Sequence, residues 1–157
     1  MPVNLHETTE RVLLLMESAS PEGVQFARDY DPSLPPLEAD PDQLVQALLN
    51  LVRNAVQAVG LKGVVCLRTR ALTSHVVGGR RHRLVASIEV EDNGPGVPTD
   101  IADALFYPLV SGRDRGSGLG LPLAQDLVSR NGGLIEFESE PGRTVFTMRF
   151  PLEVAGP

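Results

Sequence analysis

Residues 40–59 impose the strongest constraint on the fold. Asp40-Pro41-Asp42-Gln43 carries a complete helix start: an Asp at the N-cap, a Pro at the first helical position, and a Gln three residues after the cap to close a capping box. Leu44, Leu48, Leu51, Val52, Ala55 and Val59 then recur at helical spacing, and Gly60 ends the run. A helix with one apolar face has to lay that face on a second layer. The rest of the chain supplies one. Residues 63–72 and 83–92 are rich in β-branched side chains and are joined through Val76-Val77-Gly78-Gly79, which predicts an antiparallel pair. Residues 134–139 and 144–150 flank the turn Glu140-Pro141-Gly142-Arg143 and predict another. Val24, Phe26 and Ala27, in a run ending at Tyr30, predict a strand before the rigid connector Asp31-Pro32-Ser33-Leu34-Pro35-Pro36. Further helices are predicted after Asn4, carrying Leu5, Val12, Leu13 and Met16, and over residues 119–130, closed by Asn131-Gly132-Gly133. Residues 94–120 read as loop, with a short helix near 100–104. Hairpins in place of repeated βαβ units put the chain in the α+β class, with one mixed sheet and helices packed on a single face.

Composition narrows the function. The 157 residues suit one domain. No apolar run approaches the roughly 18 residues of a membrane span, so no membrane association is expected. The single cysteine, Cys66, excludes an internal disulfide and a Cys-cluster zinc site, fits a reducing cytoplasm, and is expected to be buried in its strand. A net charge of −6 argues against nucleic acid as a partner. That charge is uneven: residues 62–83 hold Lys62, Arg68, Arg70, Arg80, Arg81 and Arg83 with no acidic residue, which reads as a solvated or partner-facing hairpin or, less simply, as a phosphate site. The 15 Gly and 13 Pro exceed average usage without reaching the range of disorder, so their placement carries the information.

Three placements carry chemistry. Gln46, Asn50 and Asn54 follow at four-residue intervals and stack on one side of their helix. Asn competes with its own backbone and lowers helix propensity. The stripe is either solvent-facing polarity or a set of amide oxygens offered to a hard cation whose other positions go to water and substrate phosphates. Asp92-Asn93-Gly94-Pro95-Gly96 follows the alternation Val85, Ile88, Val90. It is either a tight turn or a pocket in which Gly94 and Gly96 allow close approach and Asp92 accepts a hydrogen bond from an exocyclic amine such as that of adenine. Gly116-Ser117-Gly118-Leu119-Gly120-Leu121 directly precedes a helix, where free N–H groups and the helix dipole favour phosphate. It is neither a Rossmann fingerprint, lacking the preceding strand, nor a P-loop, lacking the Gly-Lys-Ser/Thr ending.

In this order and spacing the three features resemble the ATP-binding catalytic domain of sensor histidine kinases, within the GHKL group of gyrase, MutL and chaperone ATPases. Gln46 to Ala55 is similar to the N box, Asp92 to Gly96 to the G1 box, and Gly116 to Leu121 to the G2 box. Phe106 stands at the F-box aromatic position, and Gly142-Arg143-Thr144-Val145-Phe146 resembles the last-strand segment that reaches adenine. The resemblance covers residues 40–151. Tyr30-Asp31-Pro32-Ser33-Leu34-Pro35, Leu105 to Arg113 and Ile135-Glu136-Phe137 resemble the nitrogen-regulation branch.

The resemblance implies a two-layer α/β sandwich of the GHKL (Bergerat) type in a single domain, 1–157. Residues 1–39 form a lead-in, 40–151 the core that carries the motifs, and 97–115 a lid over ATP. It implies ATP and Mg²⁺ as cofactors. Asp92 would hold the adenine amino group, with Thr144 assisting through water, and Gly94, Gly96, Val97 and Phe106 would line the nucleotide. Asn50 and Asn54 would hold Mg²⁺ and the phosphates. Gly116, Ser117, Gly118, Leu119, Gly120 and Leu121 would donate backbone N–H groups to the phosphate chain. Gln46, Asn50 and Arg113 would serve the chemistry, with Arg113 and Arg115 either touching the γ-phosphate or facing solvent. Gln46 stands where hydrolytic relatives carry a glutamate base, and a neutral amide has no useful basicity, which favours phosphoryl transfer over hydrolysis.

The expected function is therefore the phosphoryl-donor half of a two-component histidine kinase in nitrogen signalling. His6-Glu7 resembles the acceptor dipeptide, but no proline follows at the expected place. His6 is expected to pack or lie on the surface, the dimerisation and phosphoacceptor domain to be absent, and the chain alone not to phosphorylate itself. The implied partners are its own dimerisation and phosphoacceptor domain, a response regulator and a P-II-type signal protein. The alternative is a non-catalytic nucleotide-binding regulatory module.

Overall fold

Asn4 caps α1 (Leu5–Ala19) by accepting the His6 N–H at 2.9 Å on its side-chain oxygen. The computed structural model describes residues 1–96 and 120–152. α1 buries Leu5, Val12, Leu13 and Met16, the residues whose spacing predicts it. β2 (Gly23–Asp29) follows. A small ribbon of β1 (Pro2–Val3) and β3 (Leu37–Glu38), which the sequence does not foreshadow, ties the amino terminus to the connector.

α2 (Pro41–Val59) is the central helix and packs against α1, against α3 (Gly120–Arg130) and against the sheet. Leu44, Leu48, Leu51, Val52 and Ala55 are fully buried, and each large apolar side chain so buried contributes about 1.5–3 kcal/mol. Gly60 ends it, and the Gly60 N–H returns to the Val56 carbonyl at 3.1 Å. Asp40 caps it through bonds from the Asp42 and Gln43 N–H groups at 2.9 and 3.2 Å. The expected capping box is replaced by a relay. The Asp40 N–H donates to Asn131 Oδ1 rather than to Gln43, and Gln43 Oε1 instead accepts from Asn131 Nδ2, both at 2.9 Å.

The five-stranded sheet has the order β2-β4-β5-β7-β6, with β4 (Lys62–Val77), β5 (Arg80–Asp92), β6 (Leu134–Glu140) and β7 (Arg143–Pro151). β2 runs parallel to β4, as a connection through α2 requires, and every other pairing is antiparallel. The sheet is mixed, as expected. β4 and β5 extend past 72 and 83 to a two-residue turn at Gly78-Gly79, both at positive φ, and the ladder continues to Val77 and Arg80 with one break at Ser74, whose φ is +51°.

Alternation separates the faces. Val65, Leu67, Ile88, Val90, Phe146, Met148 and Phe150 join the helices in one core. The opposite face carries a charge lattice in which Arg68 pairs with Glu89 at 2.8 Å and Asp29 at 3.2 Å, and Arg70 pairs with Asp29 at 2.8 Å. Cys66 lies on this face and is only half-buried, because its odd-numbered neighbours take the core positions.

Candidate functional site

α2 presents its polar stripe beneath the start of α3. Asn50 is 8% exposed, and its Nδ2 donates to the Gly120 carbonyl at 3.2 Å. Gln46, one turn earlier and exposed, donates from Nε2 to Asn50 Oδ1 at 3.1 Å. Asn54, one turn later, is half-buried. The solvent-facing reading therefore fails at Asn50, which sits under α3. Gln46 acts on Asn50 as a donor that fixes the amide plane, a role consistent with its lack of basicity.

The second cluster lies at the carboxyl end of β5. This strand is flanked on both sides in the sheet, so its last residue, Asp92, is 1% exposed. Burying a carboxylate costs several kcal/mol unless bonds compensate. One such bond comes from the Gly94 N–H to Asp92 Oδ1 at 2.9 Å. Thr144 on β7 is the register partner of Asp92 and is itself 3% exposed. The Thr144 hydroxyl meets that of Ser139 at 2.8 Å, across the β6–β7 hairpin. Ser139 is a candidate site residue that the sequence motifs do not single out. The turn at 140–143 already implies that 139 and 144 face each other, and following that register would have found it.

The loop after Asp92 is held from three sides. Asn93 extends the β4 ladder, with its N–H on the Val64 carbonyl at 3.3 Å and its Oδ1 accepting the Val64 N–H at 2.9 Å. The Gly94 carbonyl accepts the Gly142 N–H at 3.0 Å. A Cβ at Gly94 would lie 2.7 Å from the Ala58 carbonyl oxygen, near the end of α2. At Gly96 the backbone takes a φ of +95°, and a Cβ would lie 2.9 Å from the Glu140 carbonyl oxygen. Both positions require glycine for close approach, which turns the tight-turn reading into a pinned loop beside a buried carboxylate.

α2 connects the two clusters, since Ala58 touches the Gly94 loop and Asn50 touches Gly120. They lie eight residues apart on the helix, about 12 Å at the helical rise. One end offers a carboxylate acceptor with two hydroxyls. The other offers amide groups and the amino-terminal end of a helix, where N–H groups favour anions. Among the described residues no cluster of three His, Cys, Asp or Glu side chains could hold a metal, so a cation here would rest on amides, phosphates and water. Leu121 is buried in the core on the first turn of α3. Val97, Phe106, Arg113, Gly116, Ser117, Gly118 and Leu119, with the rest of the expected lid, lie outside the described residues.

Comparison with known proteins gives matches over nearly the whole chain. A family model described as histidine kinase-, DNA gyrase B-, and HSP90-like ATPase matches residues 39–154. The sensory histidine kinase/phosphatase NtrB of Escherichia coli O157:H7 is 51% identical over 150 residues, 95% of this chain and 43% of that protein. The chain thus spans less than half the length of that relative. Among solved structures, the catalytic domain of histidine kinase ThkA superposes with a TM-score of 0.81 at 25% identity, covering 97% of this chain and 95% of that one. A complex of histidine kinase ThkA with the response regulator protein TrrA superposes with a TM-score of 0.77 at 24% identity, covering 98% of this chain and 42% of that one.

Proposed function

The chain belongs to the histidine kinase-, DNA gyrase B- and HSP90-like ATPase family, and on that premise we propose that it binds Mg²⁺-ATP and donates the γ-phosphoryl group to a histidine on a separate domain in nitrogen signalling. The observation that carries this reading is the buried Asp92, paired in register with Thr144 beneath a loop that only glycine permits. A buried acceptor beside two hydroxyls suits the adenine amino group and a bridging water. Glycine at 94 and 96 lets the loop backbone press against Ala58 of α2 and Glu140 of the β6–β7 turn, which holds the loop beside Asp92.

Asn50 and Asn54 are the proposed Mg²⁺ residues. A carbonyl oxygen has two lone pairs, and Asn50 Oδ1 spends one on Gln46, so the donor set fits a cation shared with phosphates. The ion would supply neutralisation of phosphate charge. The chain's own residues bind and orient: Gln46 holds the Asn50 amide in plane, Gly120 and Leu121 place the start of α3, and Val97, Phe106, Arg113 and Gly116 to Leu119 would complete the phosphate side and the lid. A protein of this kind mostly positions its reactants, and a glutamine in place of a base disfavours attack by water. Its proposed partners are the dimerisation and phosphoacceptor domain that presents the histidine, a response regulator such as the one in the ThkA complex, and a P-II-type signal protein. NtrB, a sensory histidine kinase/phosphatase, supports the nitrogen assignment by identity.

Thermal unfolding with Mg²⁺-ADP tests the site. Ligand at one hundred times its Kd should raise the midpoint by about 5–10 °C. Asp92→Asn should remove most of that shift, and a full shift in the variant would remove adenine from Asp92.

A further inference from the structure

We propose that the cleft beside the tip of the β4–β5 hairpin is a docking site for an acidic, extended segment of a partner protein, which adds as a strand to the open edge of β5. Arg83 stands nine positions before Asp92 on β5, about 30 Å at the rise of a strand. The inference therefore concerns the opposite end of the sheet and does not depend on the nucleotide-site reading.

Three observations meet at this cleft, and the first is a strand edge. β7 ends against β5 where Pro151 pairs with Val85, and the Leu152 N–H adds one bond to the Leu84 carbonyl at 2.9 Å. β5 itself starts at Arg80. Residues 80–83 thus have no strand beside them on the β7 side among the described residues, while on their other side β4 pairs Val77, Val76 and His75 with Arg80, Arg81 and His82. A backbone edge held on one side and open on the other is a template for a further strand.

The second observation is space. A cleft of about 980 Å³ opens on this edge, lined by Arg80 to Arg83, by Leu37 and Glu38 of the β1–β3 ribbon, by Asn131 after α3, and by Leu152. A small polyanion has no use for a strand edge, whereas an extended peptide does, so the edge within the cleft favours the peptide.

The third is charge. Arg80, Arg81 and Arg83 take part in no ion pair among the described residues, and Glu38 is the one carboxylate among the lining side chains. Three guanidinium groups against one carboxylate leave the cleft positive. Arg81 is already ordered, since its guanidinium donates to the Ser74 carbonyl at 2.5 Å across the hairpin. Arginines along an edge repel the same edge of another copy and so oppose self-association. The same charge selects a strand that carries carboxylates.

The test titrates the chain with a fluorescent hexapeptide of alternating Glu and Val, followed by anisotropy at low salt, with amide NMR shifts to locate it. Saturable binding is expected, with shifts at residues 80–84, 131–132 and 152 and none at 92–94. Arg80→Glu combined with Arg83→Glu spares the Arg81–Ser74 contact and should weaken the Kd by about tenfold or more. Methylating the backbone nitrogens of the peptide keeps its charge but removes its main-chain donors, and should also weaken binding by about tenfold or more. That comparison needs no variant of the chain, so it decides the matter even if the double variant fails to fold. A methylated peptide that binds as tightly as the parent overturns strand addition in favour of plain charge attraction. Tripolyphosphate shifting these amides while the hexapeptide shifts none overturns it in favour of a small-polyanion site. No binding of the hexapeptide, or shifts confined to other residues, overturns it outright.

Discussion

Asp92 and Asp31 show how two carboxylates in one domain are put to different uses. Asp92 closes the central strand at 1% exposure and faces the proposed ligand. Asp31 is structural. Its Oδ1 accepts the Ser33 hydroxyl and N–H at 2.6 and 2.9 Å, and its Oδ2 accepts the Ala71 N–H at 2.9 Å, fastening the connector to β4. Those bonds, led by the Ser33 hydroxyl, hold its pKa down at about 2, against an ordinary 3.8. A depressed carboxyl contributes stability that is present above its unfolded value and lost as pH falls through its folded one. Between pH 4 and pH 2 the wild type should therefore lose stability more steeply than Asp31→Ala, measured by urea unfolding at each pH. Equal slopes would remove Asp31 from the acid response. The same bonds explain why Tyr30-Asp31-Pro32-Ser33 looks so specific as a sequence. His6 stacks on Tyr30 at 4.8 Å and meets the Thr69 hydroxyl at 2.8 Å, and that hydroxyl also accepts the Asp31 N–H at 3.0 Å. His6 is thus a packing residue.

Among the elements, α2 was the most legible in sequence, because its cap, its apolar period and its terminal glycine are all local signals. The Asn131 relay was not legible, since it joins residues about ninety positions apart and depends on how α3 lands. Asp40→Ala should cost about 1 kcal/mol in urea unfolding. A loss well beyond 2 kcal/mol would mean that the side chain does more than cap. The hairpin of β4 and β5 runs longer than its sequence suggests for a different reason. Its outer half is rich in Arg, His and Ser, which propensity assigns to loops, yet strand pairing carries the ladder through Val77 and Arg80. Arg68 and Arg70 lie against carboxylates, whereas Arg80, Arg81 and Arg83 have no ion-pair partner among the described residues. If the hairpin docks a P-II-type signal protein, reversing Arg80, Arg81 and Arg83 to Glu should weaken that complex at low salt by about tenfold or more. An unchanged affinity would leave the hairpin as a solvated arm.

For the whole molecule, the sheet has one face packed by three described helices and the other carrying paired charge, and both candidate clusters lie at one end of it. One end brings together residues far apart in sequence, Asp92 standing 37 positions after Ala55 and Gly120 24 positions after Gly96, a convergence that α2 makes possible by reaching both clusters. Motif order in the sequence singles these residues out as candidates. It could not show that Asn50 is buried under α3, or that Ser139 stands behind Thr144, because both depend on packing across the sheet. The most direct measurement mixes this chain with a separately purified dimerisation and phosphoacceptor domain and γ-labelled Mg²⁺-ATP. Label is expected on the acceptor histidine, none on this chain alone, and no transfer with Asp92→Asn. Tight ATP binding by the wild type with no label on the acceptor would contradict it and leave a nucleotide-binding module without phosphoryl transfer.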